Sequence, residues 1–596
     1  MGLEEQLRGH MDEALEALAS AGELDPALVQ GAGYNVEPPR RGGSGDLASN
    51  VALVLGKPAK KNPRELGERI AERLRECPDV REVDVAGPGF LNVGFHPPAF
   101  HRVLEEVLGS GRAYGRAPAA TGERVNVEFV SANPTGPLLV SHGRGAVVGD
   151  AIARLLEATG HRVTREYYIN YFGNQVRLLA HSVRAARAGK PPPEGGYGGD
   201  YVKELAAAIQ KHHPALLEPD AEGELMRQCV TLMLDGMPDS ELAGIRPILR
   251  RMGIEFDVWT SEESLHRWGR VGRTLAELED KGRLSQTDDG ATVFVTGDED
   301  EKDRVVRKRD GNFTYFASDI AYHDDKITRG FERMIDVWGA DHHGYIARLK
   351  SAIEALGHDA ERFEVLLFQL VSLMRDGKPY RMGKRLGNLI TLQEIIDEID
   401  EAVGNPHAGR DALRFFYLSR RVDTPIVLDI ELAKKQESEN PVFYIQYGHA
   451  RLCSIQRRAK EKLGLGTPRY SARLAARVDH PLELKLLAEL GRYPAVLAEA
   501  AVGRDPHRMV FYLQGIAQAF QSYYTQLRTE KDAILPSARQ MAESGWEADW
   551  DREKTLGRLL WVDAIRTVYR SGLELLGLEA PERMTREPED EEEPPG

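Results

Sequence analysis

A glycine-rich run at residues 141–149 carries the first candidate chemistry of the chain, with glycines at positions 143, 145 and 149. Where a strand turns into a helix, small residues let backbone N–H groups and the positive end of the helix dipole face a phosphate. Taken alone, the run is a weak dinucleotide fingerprint in which Glu166 would be the ribose-binding acid. The alternative interpretation is that these glycines only allow a helix to pack closely.

The elements that would position this run alternate between strand and helix. Residues 125–130 have the pattern of a strand, residues 133–137 form a loop rich in proline and glycine, and a helix is predicted to open near His142. Residues 162–170 are the next predicted strand. A strand, a crossover helix and a second strand favour a parallel βαβ unit. Further strand-like segments lie at residues 291–295, 334–338 and 363–368.

The flanking segments have other patterns. Residues 1 to about 115 predict a small α+β domain, with a helix at 11–18, a second helix capped by Asn62 with Pro63 at its first position, and a strand, turn and strand at 83–93. A helical insertion is predicted at about 185–250. After about residue 405 nearly every segment has helical period, through Leu576. The tail, 585–596, holds six acids and one arginine and is expected to be disordered.

Composition excludes several classes of protein. The 596 residues include 78 Lys and Arg, 93 Asp and Glu and three cysteines, and the net charge is −15. The cysteines are far apart, which disfavours a disulfide scaffold and a zinc site of the CxxC type. The chain shows no signal-peptide pattern and no apolar run long enough for a membrane span, so we expect a cytoplasmic protein. The acidic sum argues against wrapping nucleic acid with the whole surface, but leaves room for a local basic groove.

The segment from Glu128 to Gly145 strongly resembles the signature region of bacterial arginyl-tRNA synthetases. In that family a strand ends in Glu, Asn-Pro-Thr-Gly follows, and a His-x-Gly-His segment opens a helix. Further similar segments occur in order over about 500 residues, and the chain is identified as a member of this class I synthetase family with divergent ATP-site motifs. These family-like segments lie at 87–92, 166–170, 314–323, 337–345, 411–415, 440–451 and 580–584.

The resemblance implies an α/β fold built from three domains. These are an N-terminal α+β domain that contacts tRNA (1–115), a Rossmann-like catalytic domain (121–400) that contains the helical insertion, and an all-α anticodon-binding bundle (405–584). It also implies an arginine–tRNA ligase. Arginine is activated by ATP to arginyl-adenylate and then transferred to the 3′ end of tRNA(Arg). The implied partners are arginine, ATP with its Mg²⁺, and tRNA(Arg), for a monomer without a structural metal or a membrane anchor.

On the nucleotide side the resemblance assigns three catalytic residues. His142 would donate a hydrogen bond to the reacting phosphate, while Lys384 and Arg381, in a Lys-Met-Ser-Lys-type loop, would hold the leaving pyrophosphate. The alternatives are a packed histidine and a solvated basic turn. The two adjacent histidines, beside an aspartate, could instead be metal ligands. The residues implied to bind ATP are Leu139, Ser141, Gly143, Gly145, Asp341, His342, His343 and Met382.

On the arginine side the implied residues are Glu128, Asn133, Tyr315 and Asp319. A guanidinium needs a carboxylate and an aromatic face, which Asp319 and Tyr315 would provide. Their spacing of four places both on one side of a helix, if the segment is helical. Glu128 and Asn133 would hold the ammonium and carboxylate end of the substrate.

For tRNA, the resemblance points to tyrosines that could stack on splayed anticodon bases. They are Tyr444 and Tyr447 on one helix, and Tyr523 and Tyr524 on another, while Met584 ends the family-like region. A row of tyrosines at helical spacing can equally belong to a core. Five basic residues could form a phosphate-facing surface or a solvated face, namely Arg451, Arg457, Arg458, Lys460 and Lys462.

Four positions depart from the family pattern. Leu139 replaces the first signature histidine, Ser141 a glycine and Gly383 the serine of the Lys-Met-Ser-Lys motif, while Tyr171-Phe172 stands for Asp-Ala. These departures suggest a specialised paralogue that tolerates a nucleotide-mimicking inhibitor. The alternatives are a catalytically impaired tRNA-binding or regulatory paralogue and, from the glycine-rich run alone, a nicotinamide-dependent enzyme.

Overall fold

The structure is a computed structural model that describes residues 2–39, 43–118, 122–171, 173–296, 303–380, 390–530 and 532–584. Arg381, Met382, Gly383, Lys384 and the acidic tail therefore lie outside the described residues, as does Phe172. No helix in the described ranges is both long and apolar enough to cross a membrane.

The N-terminal region is an antiparallel sheet covered by helices. Asn62 caps its fourth helix as predicted, since its Oδ1 accepts the Arg64 N–H at 2.9 Å and Pro63 takes the first helical position. The sheet order is β1-β2-β4-β3. The elements are α1 (Leu3–Ser20), α2 (Pro26–Gln30), β1 (Val36–Glu37), β2 (Leu47–Ser49), α3 (Val51–Gly56), α4 (Pro63–Leu74), β3 (Val80–Ala86), β4 (Phe90–Phe95) and α5 (Pro97–Ser110).

The first half of the central region contains the predicted βαβ unit and the helical insertion. Strand β5 ends at Phe129, and the crossover helix α6 begins at Val140, two residues earlier than predicted. The elements are β5 (Arg124–Phe129), α6 (Val140–Ala158), β6 (Arg162–Ile169), α7 (Asn174–Arg187), α8 (Asp200–His212), α9 (Glu222–Asp235), α10 (Ile245–Arg251), β7 (Val258–Ser261), α11 (Glu262–Arg267) and α12 (Arg270–Asp280).

The second half completes the sheet and adds two smaller ones. The elements are β8 (Leu284–Gln286), β9 (Thr292–Phe294), β10 (Arg304–Arg307), α13 (Tyr315–Thr328), β11 (Arg333–Gly339), α14 (Ile346–Ala355), β12 (Phe363–Phe368), β13 (Val371–Arg375), β14 (Lys378–Tyr380), α15 (Leu392–Val403), α16 (Ala408–Leu418), β15 (Ile426–Asp429) and α17 (Ile430–Lys434).

A five-stranded sheet of order β12-β11-β5-β6-β7, parallel throughout, forms the centre of the molecule. This confirms the α/β class. The strand predicted at 291–295 is not part of it, because β9 pairs antiparallel with β8 and β10. The prediction of helix alone after residue 405 is wrong at 426–429, since β15 joins β13 in parallel and so gains backbone partners.

The C-terminal region is a bundle of helices around a buried Trp561. The ring of Trp561 lies 4.6 Å from that of Tyr523, centroid to centroid. Because Tyr523 is fully buried and donates to Glu483, it is a core residue and cannot stack on a base. The helices are α18 (Pro441–Leu463), α19 (Ala472–Ala475), α20 (Pro481–Gly491), α21 (Tyr493–Gly503), α22 (His507–Glu530), α23 (Ala538–Ala542) and α24 (Arg552–Leu576).

Candidate active site

The candidate site lies where the parallel strands end. In open α/β sheets, ligands bind in the crevice beyond the carboxyl ends of the strands. Glu128 in β5 is in register with Asp336 in β11 on one side and with Glu166 in β6 on the other. Three acidic side chains are thus brought side by side close to that edge of the sheet.

A strained turn follows β5. Val130 and Ser131 have φ of 67° and 36°, in the left-handed region that β-branched residues avoid. The turn lets the Ser131 hydroxyl donate to Glu128 Oε1 at 2.8 Å while accepting the Tyr168 N–H at 3.1 Å. Such strain persists where the surrounding structure imposes it, commonly at functional sites.

Glu128 belongs to a buried network of charges. Lys326 Nζ donates to Glu128 Oε2 at 2.6 Å and to Asp336 Oδ1 at 2.9 Å. His323 Nε2 lies 3.0 Å from Asp336 Oδ2. Burial raises the pKa of Glu128, whereas Lys326 and His323 outweigh burial at Asp336 and lower its pKa. Glu128 therefore already has a cation partner, and its position is fixed before a substrate arrives.

Asp319 and Tyr315 lie on one helix, as the spacing predicted. Helix α13 begins at Tyr315, whose ring is half exposed and whose hydroxyl occupies the space a side chain on Gly173 would need. Asp319 is partly buried and accepts a hydrogen bond from the Tyr345 hydroxyl. Burial raises the pKa of Asp319 to about 6, with added repulsion from Glu262 and Glu128.

The sequence analysis missed Glu262 and Tyr168. Glu262 is buried at the start of α11, directly after β7, and its Oε2 has no hydrogen-bond partner among the described residues. The Tyr168 hydroxyl likewise lacks one there. Burial raises its pKa, and repulsion from the carboxylates of Glu262, Asp319 and Glu128 raises it further. Tyr168 is in register with Thr260 of β7, two residues before Glu262. A predicted strand at 258–261 would have pointed to Glu262, because an acid that follows a parallel strand lies at the binding edge.

Glu166 has a structural role, and the dinucleotide interpretation is wrong at this position. Its carboxylate is fully buried and accepts hydrogen bonds from Asn126 at 2.6 Å, Thr260 at 2.5 Å and Arg329 at 2.9 Å. Despite burial, Lys326 and Arg329 lower the pKa of Glu166. A fully paired carboxylate in the sheet cannot hold a ribose hydroxyl.

The signature turn, residues 138–142, sets the orientation of the His142 side chain. His142 Nδ1 accepts the Leu139 N–H at 3.0 Å, so the neutral ring carries its proton on Nε2, the nitrogen that can donate to a ligand. Leu139 also forms an isolated bridge with Thr391, and the Leu392 N–H donates to Leu138 O at 2.7 Å. The residues that follow the basic loop are thus tied to the signature turn. Ser141 is half-buried in the first turn of α6.

The three glycines of the run allow close packing, as the alternative interpretation held. A Cβ at Gly143 would lie 2.9 Å from Leu392 and from the Tyr417 hydroxyl, one at Gly145 would lie 2.8 Å from Phe368, and one at Gly149 would meet Phe129 at 2.2 Å. A contact between ATP and the backbone at 143 and 145 stays a prediction.

Arg144, which the sequence analysis passed over, anchors the same helix. It is fully buried and donates to the carbonyls of Gln369 at 2.8 Å, Arg421 at 2.9 Å and Thr424 at 2.7 Å. Burial lowers its pKa to about 10. The guanidinium thereby holds the start of α6 against the segments beside β13 and β15.

Asp341, His342 and His343 lie in a 3-10 helix that follows β11, Ala340–Tyr345. All three side chains are exposed, and His342 Nε2 is 3.7 Å from Asp341 Oδ2. Among the described residues, no group of three or more His, Cys, Asp and Glu side chains could hold a metal ion. Asn133, in the loop after β5, is exposed and donates to Gln175 at 2.9 Å.

The predicted tRNA residues lie on α18 and α22. The Arg451 guanidinium lies over two rings across the two helices, 4.0 Å from the ring centre of Tyr524 and 6.0 Å from that of Tyr447. Tyr444 and Met584 are half-buried. The chain before Met584 packs on α18, since His449 Nδ1 lies 2.9 Å from Pro581 O. Arg458, Lys460 and Lys462 are exposed, and Arg457 is half-buried.

Matches to family models and to named relatives identify the family. Residues 5–95 match the arginyl tRNA synthetase N terminal domain, residues 103–405 the catalytic domain of class I (R) tRNA synthetases, and residues 445–584 the DALR anticodon binding domain. The chain is 42% identical over 557 residues to the arginine–tRNA ligase of Nitratidesulfovibrio vulgaris, covering 92% of this chain and 95% of the relative. It is 41% identical over 590 residues to that of Citrifermentans bemidjiense, covering 98% and 100%.

A solved structure shows the same fold. Thermus thermophilus arginyl-tRNA synthetase superposes with a TM-score of 0.70 at 22% identity, covering 98% of this chain and 100% of that one. The domain matches account for the N-terminal domain, the parallel-sheet domain and the helical bundle in chain order. The chain therefore belongs to the arginyl-tRNA synthetase family.

Proposed function

We propose that the chain is an arginine–tRNA ligase that activates arginine with ATP and transfers it to the 3′ end of tRNA(Arg). In the first step an oxygen of the arginine carboxylate bonds to the α-phosphorus of ATP, and the bond to pyrophosphate breaks. In the second, a ribose hydroxyl of the tRNA attacks the carbonyl carbon, and AMP leaves.

The observation that carries this proposal is the cluster of acceptors around Asp319. Among the described residues, Asp319 accepts from Tyr345, Glu262 Oε2 has no hydrogen-bond partner, and no lysine or arginine donates a hydrogen bond to either carboxylate. His266 Nε2 lies 3.9 Å from Glu262 Oε1. A guanidinium stays charged at any physiological pH and offers five donors, so it suits two carboxylates better than a neutral side chain would. Tyr345 orients Asp319, and the half-exposed ring of Tyr315 supplies a face for the cation.

Glu128 and Asn133 take the α-amino acid end in this proposal. Glu128 is already paired with Lys326, so it contributes a hydrogen-bond acceptor more than a net charge toward an ammonium. Lys326 is shared by Glu128 and Asp336, whereas no lysine or arginine among the described residues pairs with Asp319 or Glu262, so the guanidinium end of the crevice is the more negative. This polarity favours one orientation of arginine in the site.

For the nucleotide, His142 donates from Nε2 to the reacting phosphate. Asp341, His342 and His343 face ATP from the end of β11, and Leu139, Ser141, Gly143 and Gly145 form the opposite wall. Lys384 and Arg381, with Met382, hold the pyrophosphate, and Mg²⁺ arrives with ATP. Tyr447 and Tyr524, stacked on Arg451, receive anticodon bases, together with Tyr444 and Met584.

The test is aminoacylation of total tRNA by the purified chain. We expect arginyl-tRNA only when arginine, ATP and tRNA are all present. The His142→Ala, Lys384→Ala double variant serves as the inactive reference. A wild-type rate no higher than that reference would refute the proposal.

Leu139 and Ser141 favour a second candidate, a paralogue that binds tRNA without activating arginine, because leucine cannot donate a hydrogen bond to a phosphate. Measuring tRNA affinity beside aminoacylation separates the two. Tight tRNA binding without product would favour the binding protein, whereas product formation with all three substrates excludes it.

A further inference from the structure

Helix α16 carries a row of buried polar side chains that connects two regions of the molecule. Asp411, Arg414 and Tyr417 are spaced by three and lie along one side of the helix. Each is 3% exposed or less. Buried polar groups are paired, so the partners of this row reveal what the helix joins.

The first member, Asp411, contacts the C-terminal bundle. Its Oδ2 accepts hydrogen bonds from Gln446 Nε2 of α18 at 2.6 Å and from the Glu579 N–H, just after α24, at 3.1 Å. Arg410 of the same helix donates to the other carboxylate oxygen at 2.8 Å. This end of α16 is thus hydrogen-bonded to α18, the helix that carries Tyr447 and Arg451.

The second member, Arg414, contacts both regions at once. Its Nε donates to Leu576 O, the last residue of α24, at 2.8 Å, and its Nη2 donates to Asp150 Oδ2 of α6 at 2.5 Å. A cation at the carboxyl end of a helix is stabilised by the helix dipole. Gly577 has φ of 67°, and a Cβ there would meet Arg414 at 2.2 Å, so only glycine leaves room for this guanidinium.

The third member, Tyr417, reaches the signature turn. Its hydroxyl donates to Val140 O at 2.7 Å, in the first turn of α6 and two residues before His142. The absent side chain of Gly143 makes the approach possible. The row therefore runs from the C-terminal bundle, through the middle of α6, to the backbone that holds His142.

We infer that α16 sets the position of His142 from the C-terminal domain, with Arg414 and Tyr417 as positioning residues. The inference rests on the proposed function, because it takes His142 as the phosphate-binding group. A shift of α18 or of the end of α24 on tRNA binding moves Asp411 and Arg414. Because α16 is a single helix, the same shift moves the hydroxyl that holds Val140.

Tyr417→Phe removes one hydroxyl and tests the end of the row. We expect the kcat of aminoacylation to fall about tenfold, because a displaced His142 would hold the reacting phosphate less well by about the strength of one hydrogen bond. The KM for arginine should stay unchanged because α13 keeps its contacts. The affinity for tRNA should stay unchanged because Tyr447, Arg451 and Tyr524 keep theirs. The matched control is Tyr512→Phe, whose hydroxyl donates to Glu489 O at 2.9 Å between α22 and α20.

Arg414→Lys tests the middle of the row and keeps the charge while losing the fork of donors. Its control is Arg558→Lys, a buried arginine that pairs with Glu483 and Asp532 within the C-terminal bundle. Both lysine variants should lose thermal stability. Only Arg414→Lys should lower kcat beyond its control, and its effect should fail to multiply with that of Tyr417→Phe, since both act through one helix.

A Tyr417→Phe or Arg414→Lys kcat within twofold of its control, or a change confined to KM, would overturn the inference. Fully multiplicative effects of the two substitutions would do so as well. These outcomes are distinct from failure of the proposed function, in which the wild type itself forms no arginyl-tRNA.

Discussion

The two sides of the candidate crevice are built in opposite ways. The arginine side, at α13 and the ends of β5, β6 and β7, holds buried or partly buried carboxylates whose geometry is fixed by Lys326, Ser131 and Tyr345. The nucleotide side, at the signature turn and residues 341–343, is half-buried or exposed and carries Leu139 and Ser141, which depart from the family pattern. A site that buries charge tolerates little change, because an unpaired buried charge is costly, whereas a site exposed to solvent tolerates more.

Asp319→Asn should have the largest effect. Removing this carboxylate leaves Glu262 as the remaining counter-charge of the guanidinium, at a cost of about 4 kcal/mol, so the KM for arginine should rise about 10³-fold. Because burial disfavours the charge of Asp319, the same variant should unfold at a higher temperature without arginine. Asp325→Asn is the control, since that residue lies on the same helix and pairs with Arg270 and Arg329. An unchanged KM for arginine would contradict the proposed role of Asp319 and, with it, the contrast between the two sides of the crevice.

His142→Ala tests the nucleotide side. It removes one preorganised donor, so kcat should fall about 10²–10³-fold while the KM for arginine stays near its wild-type value. His161→Ala, at the far end of α6, gives a control in which a histidine is lost without change to the turn. Equal loss in both variants would mean that His142 only stabilises the helix.

The pH dependence should separate the two sides further. In the proposed site, Asp319 would bind a guanidinium only when ionised. Its pKa of about 6 is above its ordinary value of 3.8, so the KM for arginine should rise about tenfold for each pH unit below 6. In the absence of arginine, the free energy of unfolding should change with pH in the opposite direction from the affinity for arginine. The unfolded chain ionises this group near pH 4 and the folded chain only near pH 6, so the free energy of unfolding falls as pH rises between these values. A flat arginine KM from pH 7 to 5 would contradict this assignment.

Leu139→His with Ser141→Gly should have the smallest effect. Restoring the family pattern adds one donor and opens the wall of the nucleotide site, so we expect kcat/KM for ATP to rise by up to about tenfold and sensitivity to an adenylate-mimicking inhibitor to increase. Leu138→Val offers a control, because Leu138 is a buried apolar neighbour in the same turn. No change in rate or inhibition would show that the two departures are neutral.

Much of the architecture could be predicted because it depends on local pattern. The strand at 125–130, the capped helix at Asn62 and the helical spacing of Tyr315 and Asp319 all follow from periodicity and turn chemistry. Strand β15 was missed because four residues with a parallel partner far away in the chain carry little local signal. Tyr523 and Tyr524 are adjacent in sequence, and only packing decided that the first is in the core.

The sequence alone determined the class of fold, the family and the types of residue available for an arginine and nucleotide site, because all three follow from the order and spacing of motifs along the chain. The tertiary structure decided which groups are paired. Lys326 pairs with both Glu128 and Asp336, Glu166 is hydrogen-bonded within the sheet, Tyr345 donates to Asp319, and α16 links Asp411 to Val140. These pairings depend on contacts between residues up to 277 positions apart, and only the folded chain brings such residues within hydrogen-bond distance.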